Sequence, residues 1–313
     1  MKINFLKFKT TYFIFFGLLG LASIVCLSIF GLKPGIDFTG GSILEISYSD
    51  SRPSNEEIKA TLNGVDLGEV SVQPSGEKEV ILRMKDISED VHQTVLEKLS
   101  SLSGIPQDAG KEKNNLEERR FESIGPVIGK ELKDKTKIIV ILSILGIALY
   151  IAFAFQKISF PMPSWNYGIV SLLTLVYDIL IPLGVFSIMG HFYGTQVTIP
   201  VVVALLTVLG YSINNTVVVF DRIRENILKK GQGIVFRDIV NASLNQTLSR
   251  TINTSLTVLI VLISIFILGG ETLRYFSLAL MIGITTGIFS SILLASPILE
   301  TWLNWKRRKK GIS

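Results

Sequence analysis

Long apolar runs alternate with polar segments along this chain of 313 residues, and the runs indicate its class. A helix needs about 20 apolar residues to cross the hydrocarbon core of a bilayer. Inside lipid every backbone amide must be paired within its own element, so runs of this length predict helices. Six spans are predicted, at residues 11–32, 135–156, 165–189, 197–220, 247–268 and 274–301.

The first run also resembles a cleaved signal segment, because Lys2, Lys7 and Lys9 precede it. Its apolar stretch is longer than a typical signal core, and no small-x-small cleavage site follows it. The pattern therefore favours an uncleaved span.

A different pattern fills residues 33–134, where apolar residues alternate with polar ones in short runs. Alternation of this kind, bounded by turn residues, predicts strands. Residues 74–77 are expected to form a hairpin turn between the second and third strands. Four strands are predicted in all, at residues 41–49, 69–73, 79–85 and 116–124.

Two helices are predicted between these strands. Ser54 and Glu57 have the spacing of a capping box, and Gly64 is placed to end the helix that they begin. Ser88 is placed to cap the second helix, whose apolar face leaves His92 on the solvated side. The order β-α-β-β-α-β predicts a ferredoxin-like α+β domain, with both helices on one face of the sheet and the other face free for a partner.

Charge divides the chain between two compartments. Residues 33–134 hold 13 Lys and Arg against 20 Asp and Glu, whereas the remainder holds 18 against 6. Short cytoplasmic loops of membrane proteins are enriched in Lys and Arg, and an even number of spans puts both ends on one side. We therefore expect the termini (1–10 and 302–313), Lys157 and the loop 221–246 to be cytoplasmic, and the 33–134 domain to be extracytoplasmic.

Several function classes find no support in the sequence. His92 and His191 fall in different segments, so no metal site is predicted, and there is no Gly-Lys-Ser/Thr phosphate loop. The basic tail at 302–313 suits either nucleic acid or anionic lipid, and its place beside a span favours a stop-transfer anchor on membrane lipid. We predict no enzyme, no cofactor and no nucleic-acid partner.

Polar side chains inside the spans are the candidate functional residues, since ionisable groups are expensive in lipid. Asp178 lies near the middle of the third span, where it can carry a proton or serve as a hydrogen-bonded structural carboxyl. Asn215 lies in the fourth span, where an amide that joins helices is the default interpretation. Gly283 and Gly287 in the sixth span permit close helix packing.

Arg250 opens the fifth span within a run rich in Asn, Thr and Ser. Hydropathy alone lets such an arginine reach the interface. The polar residues on several faces instead predict a helix that lines a polar seam, in which Arg250 pairs with a carboxylate of a neighbouring span.

Four long motifs make the chain recognisable. They are Gly35–Gly41 after the first span, Ser123–Gly129 before the second, Gly210–Asn226 in the fourth and Asn245–Thr257 in the fifth. In this order they resemble the SecD/SecF family of protein-export membrane proteins in the RND superfamily, and the SecF type within it. The likeness covers nearly the whole chain.

The resemblance implies an all-α six-helix bundle, an RND-like half, in the bacterial inner membrane. It also implies a SecD-like partner, the SecY-E-G channel and unfolded preproteins as substrates, with the proton motive force driving the outer domain. Gly40 and Gly41 would then be a hinge. The family's signature maps onto Gly35, Asp37, Gly40, Gly41, Gly125, Pro126 and Gly129, and onto Asp221, Arg222 and Arg224 at the cytoplasmic end of the fourth span.

One position departs from the family pattern. The family usually has an Asp after the Asn in the fourth span, and here that residue is Asn215, which cannot ionise. The expected charge relay, formed by Asp178, Asn215 and Arg250 among spans three, four and five, is then left with two charged members. Two alternatives stay open: an RND-type small-solute exporter, and a structural subunit without ion coupling.

Overall fold

A computed structural model describes residues 3–49, 52–102, 116–155, 163–230 and 235–309. They form two compact units, one made of Met1–Lys33 with Ile138–Ser313 and the other of Pro34–Lys137. Three basic residues used above for orientation, Lys2, Lys157 and Lys310, lie outside the described residues.

The elements follow one another in chain order. After a 3-10 turn at Phe5–Phe8 come α1 (Lys9–Phe30), α2 (Ile36–Thr39), β1 (Gly41–Tyr48), α3 (Asn55–Leu62), β2 (Ser71–Ser75), β3 (Glu79–Met84), α4 (Glu89–Ser101) and β4 (Leu116–Ile124). The rest is α5 (Pro126–Phe155), α6 (Ser164–Tyr193), α7 (Ile199–Lys230), α8 (Phe236–Leu268), α9 (Glu271–Ser290), a π turn (Ser291–Ala295) and α10 (Ser296–Lys309).

Six apolar helices of membrane-spanning length occur among the described residues. They are α1, α5, α6, α7, α8 and the continuous segment of α9, the π turn and most of α10. The predicted six-helix class is confirmed. Large apolar side chains such as Leu142 and Leu149 of α5 face outwards, as expected of helices that lipid surrounds.

The connection predicted at residues 221–246 is largely helical instead. α7 continues to Lys230 and α8 begins at Phe236, so both helices extend into the predicted loop. Charged side chains one turn apart support the extension of α7, because Lys229 donates to Glu225 at 2.6 Å. The end of an apolar run therefore marks where the chain becomes polar and not where the helix stops.

The Pro34–Lys137 unit contains a four-stranded sheet in the order β2-β3-β1-β4. All neighbouring strands are antiparallel. Leu44 and Leu82 of the sheet pack against Ile58 of α3 and Val95 of α4, so both helices cover the same face. The predicted ferredoxin-like arrangement is confirmed. The opposite face is not wholly free as predicted, because Ile43 and Ile81 are buried there in a cluster with Ile36 of α2.

The capping box predicted at the start of α3 is present. The backbone N–H of Glu57 donates to the Ser54 hydroxyl at 3.2 Å, and the Ser54 N–H donates to the Glu57 carboxylate at 2.8 Å. These hydrogen bonds, the backbone one first, hold the pKa of Glu57 below its usual value. Ser88 lies at the N-cap of α4, but its side chain makes no capping hydrogen bond in the described structure.

The second strand begins and ends two residues later than predicted, at Ser71–Ser75. Pro74 belongs to it and lies opposite Val80 in the ladder, so the hairpin turn starts after Ser75. Proline is tolerated there because β2 is an edge strand and its missing N–H interrupts no second ladder.

The prediction of a solvated His92 is wrong. The side chain is 3% exposed, and its ring stacks on Phe121 of β4 with 3.7 Å between centroids. Carboxylates of Glu89 and Glu118 lie 3.2 and 3.5 Å from its two ring nitrogens. The periodicity of α4 shows which residues share one side of the helix. It cannot show that β4, which is distant in the chain, covers the side that carries His92.

Candidate functional site

Asp178 of α6 lies in the interior of the unit made of Met1–Lys33 and Ile138–Ser313, called the helical unit below. Its side chain is completely buried. Ser212 of α7 donates a hydrogen bond to one carboxylate oxygen, and Ser290 of α9 lies against the same carboxyl. The other oxygen, Oδ1, has no hydrogen-bond partner among the residues that the structure describes. With hydroxyls as its polar neighbours, this carboxyl can take up or lose a proton without breaking an ion pair.

Two glycines of α9 bring the hydroxyls to Asp178. A Cβ at Gly283 would lie 2.4 Å from the Val208 side chain, and one at Gly287 would lie 3.1 Å from Ser212. Small residues at this spacing allow α9 and α7 to approach closely. Gly283 and Gly287, which were predicted to permit close packing, thus also position Ser212 for its contact with the Asp178 carboxylate.

A π turn, Ser291–Ala295, follows Ser290 directly. It packs against α1, α6 and α7, and the Ser296 hydroxyl donates to the Ser291 carbonyl across it at 3.3 Å. Single π turns inside α-helices occur frequently at functional sites because they shift the side chains that follow them. The sequence shows no sign of this turn, since Ser, Ile, Leu and Ala all suit a regular helix.

Asn215 lies one turn beyond Ser212 on α7 and is 3% exposed. Residues three and four apart share one side of a helix, so Ser212, Asn215 and Thr216 face the interior together. The Asn215 amide nitrogen and the Thr216 hydroxyl have no hydrogen-bond partner within the described part of the chain. Asn215 is therefore part of the buried polar side of α7, with a side chain that cannot ionise.

Arg250 is not part of this cluster. It lies on α8, is exposed, and lines an opening of about 280 Å³ with Asp221, Arg222 and Glu225 of α7. No ion pair joins it to Asp178 in the described ranges. The polar seam around Asp178 thus runs among spans three, four and six, whereas spans three, four and five were expected. A polar run in one helix does not show which neighbour it faces.

The charged residues at the end of α7 form local pairs around the same opening. Arg222 pairs with Glu225 and donates to Gln246 of α8 at 2.7 Å, and Arg224 lies 3.3 Å from Asp221. These contacts join the ends of α7 and α8 and place carboxylates and guanidinium groups beside Arg250.

Glu300 of α10 is a second buried carboxylate, which the sequence interpretation missed. Its side chain is 3% exposed and accepts from Lys9 of α1 at 2.7 Å and from the Asn304 amide at 2.6 Å. A lone carboxylate within the predicted sixth span was the signal that could have revealed it. Because both of its oxygens accept a hydrogen bond, Glu300 ties α1 to α10, whereas no cation pairs with Asp178 in the part of the chain that the structure describes.

The family's glycine signature forms a tight backbone corner in the Pro34–Lys137 unit. Gly40 has φ +73°, and a Cβ there would lie 2.8 Å from the Pro126 Cα. A Cβ at Gly129 would lie 2.7 Å from the Gly40 nitrogen, and Gly41 has φ +128°. Only glycine suits such backbone angles and such close approach. The turn before β1 therefore lies directly on the first turn of α5.

The remaining signature residues surround this corner. Gly35 precedes α2 and its carbonyl accepts from Thr39, while Asp37 lies in the first turn of α2. The Gly125 carbonyl accepts from the Gly129 N–H at 3.0 Å, which closes the first turn of α5. The structure brings these residues of the glycine signature together, whereas Asp221, Arg222 and Arg224 belong to α7. The action of Gly40 and Gly41 as a hinge stays a prediction.

Two family descriptions match the chain. The one printed as protein export membrane protein SecD/SecF, C-terminal, matches residues 106–305, and the SecD/SecF GG motif matches residues 27–51. The chain belongs to the SecD/SecF family of protein-export membrane proteins. With its six apolar helices it is a multi-pass membrane protein, and the resemblance drawn from the four motifs is confirmed.

Similar proteins cover almost the whole chain. The protein translocase subunit SecF of Thermobaculum terrenum is 36% identical over 313 residues, which is 96% of this chain and 94% of that protein. The subunit of the same name from Vibrio alginolyticus is 37% identical over 298 residues, covering 95% of this chain and 88% of the relative.

Solved structures show the same fold. The crystal structure of SecDF from Thermus thermophilus, described as a translocon-associated membrane protein, superposes with a TM-score of 0.80 at 30% identity. The match covers 97% of this chain and 39% of that one. SecDF in its super-membrane-facing form gives a TM-score of 0.67 over 99% of this chain and 40% of that chain. The present chain thus spans about two fifths of the solved SecDF chains.

Proposed function

We propose that this chain is an accessory subunit of the bacterial Sec translocon, which uses the proton motive force with a SecD-like partner to promote preprotein translocation. Its relatives are named as translocase subunits, and its fold matches part of SecDF. The observation that carries the coupling is the completely buried carboxyl of Asp178, held between hydroxyls of two other spans. An ionisable residue in that position is a candidate for proton transfer.

Asp178 offers a simple way to connect a proton to helix packing. A serine hydroxyl can donate to a carboxylate or accept from a protonated carboxyl. Loss or gain of a proton at Asp178 would therefore reorient Ser212 and Ser290, on the two helices that Gly283 and Gly287 hold in contact. In this scheme Asn215 contributes an amide to the same side of α7, and Asp178 alone carries the proton.

The SecD-like partner is assigned to a polar face of α7 and α8. Asn214, Arg250 and Asn253 are exposed on helices that are long enough to span the membrane. Polar groups facing lipid are expensive, so such a face is expected to be covered by protein or to line water. The opening beside Arg250 then lies at the boundary with the partner.

The orientation follows from the charges. We place both termini on the cytoplasmic side of the bacterial inner membrane, because the loops and ends on that side carry most of the Lys and Arg. The Pro34–Lys137 unit then lies outside, where it can contact unfolded preproteins that leave the SecY-E-G channel. The sheet face opposite α3 and α4, which Ile36 of α2 covers in part, is the surface that we assign to this contact.

The test uses membrane vesicles that contain the full translocon, with and without an imposed proton gradient. Asp178→Asn is expected to remove the gradient-dependent part of preprotein translocation and to leave the remainder. Asp238→Asn makes the same change at an exposed carboxyl of α8 and should behave as wild type. Asn215→Asp introduces a group that can ionise at this position. It should raise the gradient-dependent part of translocation only if the lack of such a group there limits coupling.

Each alternative gives a different result. If Asp178→Asn retains full gradient dependence, coupling does not run through Asp178. If translocation never responds to the gradient, the chain is a structural subunit without coupling. If removing the chain leaves translocation unchanged, a role in protein export is excluded and a small-solute exporter is favoured.

A further inference from the structure

An apolar groove lies between α8 and the sixth span, with a volume of about 380 Å³. On α8 it is lined by Leu248, Ile252 and Leu256, which recur every fourth residue and so share one side of the helix. Arg250, Asn253 and Thr257 recur on the opposite side. The polar face assigned to a protein partner therefore points away from the groove.

The length of the groove matches one leaflet of a bilayer. Its α8 wall extends from Leu248 to Leu259, which is about 16 Å at about 1.5 Å per residue. The hydrocarbon core is about 30 Å thick, so one leaflet contributes about 15 Å.

The N-terminal strap, residues Ile3–Phe8, closes one end of the groove with Phe5. The Asn245 side chain of α8 makes two hydrogen bonds to the backbone of Ile3 in the strap. It accepts from the Ile3 N–H at 2.9 Å and donates to the Ile3 carbonyl at 2.8 Å. Asn241, one turn earlier, accepts from the Phe5 N–H at 2.8 Å. The strap is thus fixed to α8, and Phe5 is 7% exposed.

Two cations lie at the strap. Lys7 is exposed on it, and the exposed Arg237 donates to the Leu6 carbonyl at 3.4 Å. Neither is paired with a carboxylate among the residues that the structure describes, whereas Lys9 is engaged by Glu300. Basic side chains at the end of an apolar channel are complementary to a lipid with an anionic headgroup.

We propose that the groove binds one acyl chain of an anionic phospholipid, whose phosphate is held by Lys7 and Arg237. The apolar walls supply the affinity for the chain, and the strap sets the depth of the headgroup. A lipid bound there stabilises the contact between the strap, α8 and the sixth span. This site is independent of proton coupling at Asp178 and can be tested in a protein that does not transport.

The experiment uses the full chain purified with its SecD-like partner, stripped of lipid and titrated with either phosphatidylglycerol or phosphatidylcholine. Bound lipids are counted by native mass spectrometry. Phosphatidylglycerol is expected to bind about thirtyfold more tightly, from the attraction of two basic side chains. Equal affinity for the two lipids would overturn the proposal, and so would displacement of phosphatidylglycerol by glycerol phosphate at equal concentration.

Matched variants separate the groove from the rest of the lipid-facing surface. Leu256→Trp fills the groove and should abolish binding of both lipids, whereas Leu142→Trp, on the outer surface of α5, should leave it unchanged. Ile252→Phe serves if Leu256→Trp does not yield folded protein. Lys7→Gln with Arg237→Gln should remove the preference for phosphatidylglycerol, while Lys59→Gln with Lys85→Gln should retain it. Identical binding by groove and control variants would contradict the assignment.

Discussion

The two units of this protein expose opposite kinds of side chain, although both bury apolar residues. In the Pro34–Lys137 unit, Leu44, Leu82 and Leu99 are completely buried, and the Lys85–Asp66 ion pair lies at the surface. In the helical unit, Asp178 and Glu300 are buried while large apolar side chains cover the outside. Water drives apolar residues inwards, but lipid is as apolar as leucine and gives no such drive.

This difference changes what a buried polar residue means. In the helical unit, hydrogen bonds and close packing must hold the helices together, so buried polar groups are expected where helices contact one another. Glu300 fits that role because its oxygens are paired with Lys9 and Asn304. Asp178 has hydroxyl neighbours and, among the residues that the structure describes, no cation beside it, which is why Asp178 and not Glu300 is the residue proposed above to carry a proton.

The largest effect is expected at the glycine corner of the Pro34–Lys137 unit. Gly40→Ala should destabilise this unit by about 3 kcal/mol, since it combines an unfavourable positive φ with a backbone clash at Pro126. Gly76→Ala is the matched control, because Gly76 has φ +82° and nothing within 4 Å of its Cβ position. Thermal unfolding of the full chain should show the smaller loss for the control, and equal losses would mean that the close approach is unimportant.

A slightly smaller effect is expected from the buried ion pair of the helical unit. Lys9→Met should cost about 2 kcal/mol, because it leaves the Glu300 carboxylate, 3% exposed, without its cation. Lys85→Met removes the cation from Asp66, which is 89% exposed, and should cost less than about 1 kcal/mol. Adding Glu300→Leu to Lys9→Met should recover stability in detergent, and no recovery would show that the pair is not the cause.

The smallest effect is expected at the capping box of α3. Ser54→Ala should cost about 1 kcal/mol, since the first turn of the helix loses the hydroxyl that accepts from Glu57. The measurement is thermal unfolding of the Pro34–Lys137 unit within the full chain. Thr94→Ala removes an exposed hydroxyl that bonds only its own helix and should change stability less.

The same box predicts a dependence on pH. Because the folded pKa of Glu57 is lowered, its contribution is complete above the unfolded pKa and is lost as the pH falls through the folded value. Wild type should therefore lose more stability on acidification than Glu57→Gln, which has no carboxylate to protonate. Parallel pH profiles for the two proteins would contradict this assignment.

The sequence by itself determined the number of spans, the β-α-β-β-α-β order and the capping box at Ser54. These features rest on local pattern: apolar length, alternation with period two, and a hydrogen bond between residues three apart. The departure at Asn215 was also visible, since it requires only the identity of one residue in a recognisable motif.

Only the tertiary structure decided which of these residues meet. It placed Ser212 and Ser290 around Asp178, moved Arg250 to an exposed opening, paired Glu300 with Lys9 and buried His92 beneath β4. Each of these contacts joins residues far apart in the chain. The periodicity of a helix or strand does not predict which other element it packs against. The π turn after Ser290 is of the same kind, because packing against three other helices accompanies it and no residue in it requires it.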